Sequence, residues 1–186
     1  MNKLLIPLLA GAVLTGCADG NIHEFLNGDF LNSTAPGIAT LGKMFYPDRY
    51  GFTRDQVPPA FANTAPDHIG KWDFLGFTAN NERTLYIANY YDPASVKQKG
   101  SHGDVTTLVV FSATQHSKSK KPFLSAVIVN EMDCSNRTFR YLSIDAYAST
   151  RPLGSPVSKN DTSKITKPYP VGHDTLEERV LNKVCS

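Results

Sequence analysis

The first seventeen residues constrain which part of this chain can fold in water, and under what redox conditions. Met1-Asn2-Lys3 makes a short positive start, and Leu4 to Leu14 is an apolar run. That run is too short to span a bilayer, which takes about 20 apolar residues. It ends in Leu14-Thr15-Gly16-Cys17, small residues leading into a cysteine, the arrangement of a lipobox. An ordinary secretory leader ends in a small-x-small site and has no use for a cysteine. A short buried N-terminal helix would account for the apolar run but not for the order of the parts. The expectation is therefore a signal peptide over residues 1–16 and a lipidated Cys17 carrying diacylglycerol and further acyl chains such as palmitate. Several acyl chains anchor stably where one does not. Ala18 follows the cysteine, where an Asp would be the inner-membrane retention signal of enteric bacteria. The expected location is the outer membrane of a Gram-negative bacterium, on its cell-surface or periplasmic side.

Removing the leader leaves 170 residues, enough for one domain with extra chain. The full sequence holds 19 Lys and Arg against 17 Asp and Glu, and removal of Lys3 leaves a balance of +1. No global field of that size selects nucleic acid. Of three cysteines, Cys17 goes to the lipid. Cys134 and Cys185 are an even pair in an oxidising compartment and are expected to form a disulfide. Closing a loop of about 50 residues contributes roughly 4 kcal/mol in the chain-entropy model. The rival reading, a catalytic thiol at Cys134, lacks a histidine in any recognisable partner motif.

Residues 17–70 hold Pro36, Pro47, Pro58, Pro59 and Pro66 among scattered glycines, with no sustained period. This composition reads as a lipidated N-terminus and an extended tether. The aromatic stretch Met44 to Phe52 gives a second reading, an arm that orders against a partner or against the domain itself.

From Lys71 the pattern turns to strands, rich in β-branched and aromatic residues. They are expected at Trp72–Phe77, Thr84–Asn89, Val105–Ala113, Phe123–Met132 and Thr138–Tyr147, with a turn at Asn80-Asn81-Glu82. On the third, Val105, Thr107, Val109 and Phe111 share a face. On the fifth, Phe139, Tyr141 and Ser143 alternate against Arg140, Leu142 and Ile144. Short connections favour an antiparallel meander. Ser149 to Gly172 reads as a long irregular segment. Thr175-Leu176-Glu177-Glu178 is a capping box opening a helix. Leu176, Val180, Leu181, Val184 and Cys185 form its apolar stripe, and Glu177, Glu178, Arg179, Asn182 and Lys183 its wet side. The expected class for residues 71–186 is α+β: a twisted antiparallel sheet with a C-terminal amphipathic helix packed on one face.

Motifs for chemistry are sparse. The five histidines have no zinc-site spacing, and no phosphate loop, nucleophile elbow or paired-acid motif occurs. His173-Asp174 precedes the helix, where Asp174 suits the positive helix end better than a catalytic role. No catalytic residue, metal or cofactor is expected. Two groups could bind a partner. Lys118, Lys120 and Lys121 cluster before the fourth strand, where they would meet an acidic polymer or simply keep a hairpin tip solvated. Tyr86, Tyr90 and Tyr91 are residue types favoured at interfaces, or else fill a core.

Trp72-x-x-Leu75-Gly76, Asn80-Asn81-Glu82-Arg83-Thr84 and Tyr86-Ile87 resemble the opening of the surface-adhesin protein E family. So does Met132-Asp133-Cys134-Ser135-Asn136-Arg137-Thr138-Phe139-Arg140, running into a strand ending at Tyr147. So does His173-Asp174-Thr175, leading through an amphipathic helix to Cys185. The resemblance covers residues 71–186. It implies an outer-membrane lipoprotein, and its named member is an adhesin for host vitronectin, laminin and plasminogen. This chain departs from the pattern at Ala88-Asn89, where relatives often carry an acid, and at Tyr169-Pro170-Val171, where they often carry a tryptophan. Host-ligand residues therefore do not transfer; Cys17, Cys134 and Cys185 do. The functional expectation is a non-enzymatic surface lipoprotein that binds a host matrix or serum protein, with a homodimer left open. The alternative is a periplasm-facing accessory lipoprotein of a secretion or conjugation machine, docking through residues 18–70.

Overall fold

The computed structural model describes residues 51–186 apart from 80–82, 118 and 165. The expected signal peptide, Cys17, the expected tether up to residue 50, the expected turn at 80–82 and Lys118 lie outside the described residues. Within them, a single-turn 3-10 helix (Arg54–Gln56) and α1 (Pro59–Ala62) precede β1 (His68–Ile69), β2 (Trp72–Ala79) and β3 (Tyr86–Tyr91). There follow β4 (Lys97–Lys99), β5 (His102–His116), β6 (Pro122–Asp133), β7 (Thr138–Tyr147), β8 (Ser158–Asp161), β9 (Tyr169–Pro170) and α2 (Leu176–Val184). The strands form one sheet in the order β1-β2-β3-β5-β6-β7-β8, with β4 on β5 and β9 on β7. Every pairing is antiparallel. The class is α+β, a meander with one C-terminal helix.

The central strands are apolar on both faces, so each face needs a cover. β5 shows why: Val105, Val109 and Phe111 face one core, while Leu108 and Val110 face another. The first core is closed by α2, whose Leu176, Val180, Leu181 and Val184 are all buried. Burying such side chains contributes about 1.5–3 kcal/mol each. The helix lies so close to β5 that a Cβ at Gly103 would collide with Val184. Gly76, at φ +149°, sits at the bulge between Phe74 and Gly76 and faces Leu176 in the same way.

Residues 51–69 close the second core, and here the structure departs from the tether expected to run to residue 70. Phe52 bridges Phe77 through two backbone hydrogen bonds of 2.7 and 3.3 Å. Val57, Ala62 and Ala65 are buried against Phe77, Ala88, Tyr90 and Leu108. The alternative reading, aromatics ordering against the domain, holds at Phe52. Proline-rich composition marks a chain without regular hydrogen bonding. It does not distinguish a free linker from a strap that packs mainly by side chains.

Two further differences concern β7 and the segment after it. Ile144 faces the helix core together with Phe139 and Tyr141, not against them. A β-bulge places Ser143 opposite Val129 but Tyr141 opposite Asn130, so Leu142 is the extra residue and the alternation changes phase. The segment Ser149 to Gly172 is not irregular throughout. β8 and β9 pair with β7 within it, and Thr162 and Thr166 both donate to the Tyr141 carbonyl, at 2.8 and 2.6 Å.

Candidate binding surfaces and a polar cavity

Cys134, in the turn after β6, and Cys185, the C-cap of α2, form a disulfide with a Cα separation of 5.6 Å. The bond ties the end of the helix to the sheet. At the other end, Thr175 Oγ1 accepts from the Glu178 amide at 3.2 Å. The return half of the box lands one residue early: Glu178 Oε2 accepts from the Asp174 amide at 2.8 Å. Glu178 also receives Arg137 at 2.5 Å and lies 3.4 Å from His173 Nδ1. These contacts hold its carboxyl below the ordinary range, with the Asp174 amide the main cause. His173-Asp174 thus serves the helix start.

Lys120 and Lys121 lie exposed at the β5–β6 hairpin tip. Ser117 builds that tip: its amide donates to the Lys121 carbonyl at 2.9 Å, its carbonyl accepts from Lys120, and its hydroxyl accepts from the Lys121 amide. Lys120 takes φ +60° to close the turn. The two ammonium groups are therefore presented on an ordered loop.

The three tyrosines do not form a patch. Tyr90 and Tyr91 are neighbours on a strand and point to opposite faces. Tyr90 is buried completely in the strap-side core, and burial pushes its hydroxyl up to about 12. Tyr91 is buried in the helix-side core, with Lys183 Nζ 5.0 Å from its ring centre. Only Tyr86 is partly open. The core reading is the right one for Tyr90 and Tyr91.

Among the described residues, two concavities are of note. An open cleft of about 260 Å³ is lined by Asp67, His68, Asp73, Phe74, Tyr91 and Lys183. Its acids are already paired: Asp67 with Arg54 at 2.6 Å, and Asp73 with His68 Nδ1 at 2.8 Å. A smaller cavity of about 40 Å³ lies between α2 and the sheet, where Asn89, Thr107, Asn130, Tyr141 and Glu177 break an otherwise apolar lining. Asn89 Nδ2 donates to Thr78 Oγ1 at 3.1 Å, and Asn130 Nδ2 to Thr107 Oγ1 at 2.9 Å. Glu177, assigned to the wet side from its place beside the stripe, is half-buried instead. It sits one turn before Leu181, and i and i+4 share a face. Desolvation raises its carboxyl to about 7, against the lowering effect of its own amide and of Thr175. The signal available in the sequence was an asparagine in core register: Asn89 alternates with Ile87 and Tyr91, and Asn130 with Ile128 and Met132. Among the described residues there is no cluster of three or more His, Cys, Asp or Glu suited to a metal ion. None of their helices is long and apolar enough to cross a membrane.

No curated protein matches the chain. Residues 79–186 match the family model described as surface-adhesin protein E. The matched region begins at the end of β2 and runs through the sheet, the disulfide and α2, more than half of the sequence, and the chain belongs to the surface-adhesin protein E family.

Proposed function

We propose that the mature protein is a non-enzymatic adhesin, anchored by lipid at Cys17 in the outer membrane and displayed on the cell surface, where it binds a host matrix or serum protein. The family match over residues 79–186 carries this reading. The lipobox order in the sequence supports the anchor, with residues 1–16 as the removed leader. The hairpin tip with Lys120 and Lys121, joined by Lys118 in the sequence, is the proposed contact for an acidic partner. Clustered lysines on a fixed turn raise the local positive potential and the encounter rate. The accessory-machine reading has less to stand on, because residues 51–69 of its docking arm are occupied by the protein's own sheet.

Protease shaving of intact cells, with a tag at Ser186 and a periplasmic control, tests the orientation. Loss of the tag with the control intact is expected. Survival of the tag until the outer membrane is broken overturns surface display. Binding of the purified full chain to immobilised matrix proteins tests the contact. Changing Lys118, Lys120 and Lys121 together to Glu is expected to weaken binding about tenfold or more and to lower its salt dependence. Unchanged binding removes the hairpin from the interface.

A further inference from the structure

β2, β5 and β7 all run toward one end of the sheet, because each neighbouring pair in the order β2-β3-β5-β6-β7-β8 is antiparallel. The β2–β3, β5–β6 and β7–β8 connections therefore lie side by side at that end. Their described residues include Arg83, Lys120, Lys121 and Arg151, all exposed, and no Asp or Glu. Among the described residues Lys120, Lys121 and Arg151 form no ion pair. At the opposite end acids are interleaved with cations: Lys71 reaches Asp92 at 2.6 Å, Arg137 reaches Glu178 at 2.5 Å, and His102 lies 3.5 Å from Asp133. A nearly neutral chain thus presents one positive end.

That end also carries Leu153, the one large hydrophobic side chain exposed among the described residues, at 75%. Its loop is held open by hydrogen bonds. The Leu153 amide donates to the Arg151 carbonyl at 2.8 Å, and the Ser149 hydroxyl donates to the same carbonyl. The Ser125 hydroxyl, at the base of the β5–β6 hairpin, donates to the Ser149 carbonyl at 2.7 Å and ties the two connections together. Gly154 turns the chain at φ +75°. A soluble polyanion would engage the cations but has no place for Leu153. A membrane surface takes both: cations meet anionic headgroups, and an apolar side chain enters the boundary with the acyl chains.

The point where the chain enters the sheet selects the same partner. Phe52 pairs antiparallel with Phe77, so Gly51 lies one step nearer the positive end than Phe52. Residues 18–50 join the domain there, with Cys17 beyond them.

We propose that the end of the sheet bearing Lys120, Lys121, Arg151 and Leu153 docks on the phosphate-bearing headgroups of the membrane that anchors Cys17. The proposal rests on the reading of Cys17 as lipidated, and it adds a control on the lysine tip: an acidic host partner must displace the headgroups to reach it.

Vesicle co-sedimentation of the mature chain without its lipid, residues 18–186, which contains both cores, tests the contact. Phosphatidylcholine vesicles with and without phosphatidylglycerol are the probes. Binding is expected to be at least tenfold tighter with phosphatidylglycerol and to weaken with salt, since each cation near an anionic surface is worth roughly fivefold. Leu153→Asp should lose about tenfold. Lys120→Glu with Lys121→Glu should lose at least as much, while Lys97→Glu with Lys99→Glu, the same charge change at the opposite end, should lose far less. Equal binding to both vesicle types, equal losses from the two lysine pairs, or unchanged affinity in Leu153→Asp overturns the proposal. Inorganic phosphate should compete no better than chloride at equal ionic strength; stronger competition would assign a free-anion site and overturn the membrane contact. Binding to immobilised matrix protein without vesicles is read separately. Its failure beside intact vesicle binding refutes the adhesin contact alone, and where it succeeds, phosphatidylglycerol vesicles should weaken it.

Discussion

The two faces of the sheet are covered by different means. On one, a nine-residue helix lays four apolar side chains on the strands, is capped at its start by Thr175 and is tied covalently at its end by Cys185. On the other, a strap with two single-turn helices lies over Phe77, Ala88, Tyr90 and Leu108, joined to β2 by the bridge at Phe52 and by β1 at its end. Its interior is organised by a single side chain. Arg54 donates to the carbonyls of Ala62 and Ala65 at 2.8 and 2.5 Å, pairs with Asp67 and lies 5.0 Å from the Phe74 ring centre. The helix face is secured by a covalent bond and regular backbone hydrogen bonds. The strap face has no covalent tie and relies on side-chain packing, the Arg54 guanidinium and a few backbone hydrogen bonds to β2. The family match begins at residue 79, so it includes α2 and excludes the strap.

The disulfide offers the largest way to break this contrast. Replacing Cys134 and Cys185 together by Ser is expected to cost about 4 kcal/mol in denaturant unfolding, given a separation of 51 residues. Helix amides should lose protection at lower denaturant than those of residues 52–69. If stability changes by less than about 1 kcal/mol, the helix face is held by packing alone and the contrast between the faces fails.

Arg54→Ala should act on the other face and cost about 1–2 kcal/mol, since two carbonyls lose a charged donor and two rings, Phe74 and Phe77, lose their cation. Limited proteolysis should then cut within residues 54–67 while the 71–186 body survives. Arg54→Lys keeps the charge but not the fork, and should recover less than half of the loss. Equal resistance to protease in wild type and Arg54→Ala would show that the strap packs without this hub.

The contrast also explains what the sequence could reveal. Strand alternation, the capping box and the paired cysteines are local or countable signals, and they specified the sheet, α2 and the Cys134–Cys185 bond. β7 runs over its expected span, yet the bulge at Leu142 reversed the facing of Ile144, because a bulge depends on register with β6 and leaves no mark in β7 itself. The strap was legible only as one of two readings, for a related reason. Its backbone pairs with the sheet only near its two ends, and its apolar residues Phe52, Val57, Ala62 and Ala65 follow no helical or strand period. Glu177 was misplaced by a narrow margin, since it borders the apolar stripe and only the depth of packing decides its side. Lys120 and Lys121 are exposed at a hairpin tip, as their charge suggests, while the tyrosines of β3 were grouped by residue type although strand geometry sends Tyr90 and Tyr91 apart.

The smallest expected effect sharpens the view of the strap face. Tyr90 packs its ring against Phe74, with centroids 5.3 Å apart, and among the described residues its buried hydroxyl has no hydrogen-bond partner. A buried hydroxyl left unpaired carries a desolvation cost that a phenylalanine avoids. Tyr90→Phe keeps the ring contacts and is expected to be neutral or to gain up to about 1 kcal/mol, measured by denaturant unfolding. The same change should leave the helix amides untouched, because Tyr90 points away from them. A loss above about 1 kcal/mol would mean that the hydroxyl is bonded, most simply through water held under the strap. The second core would then be a polar interface that the strap seals, rather than an apolar one that it merely covers.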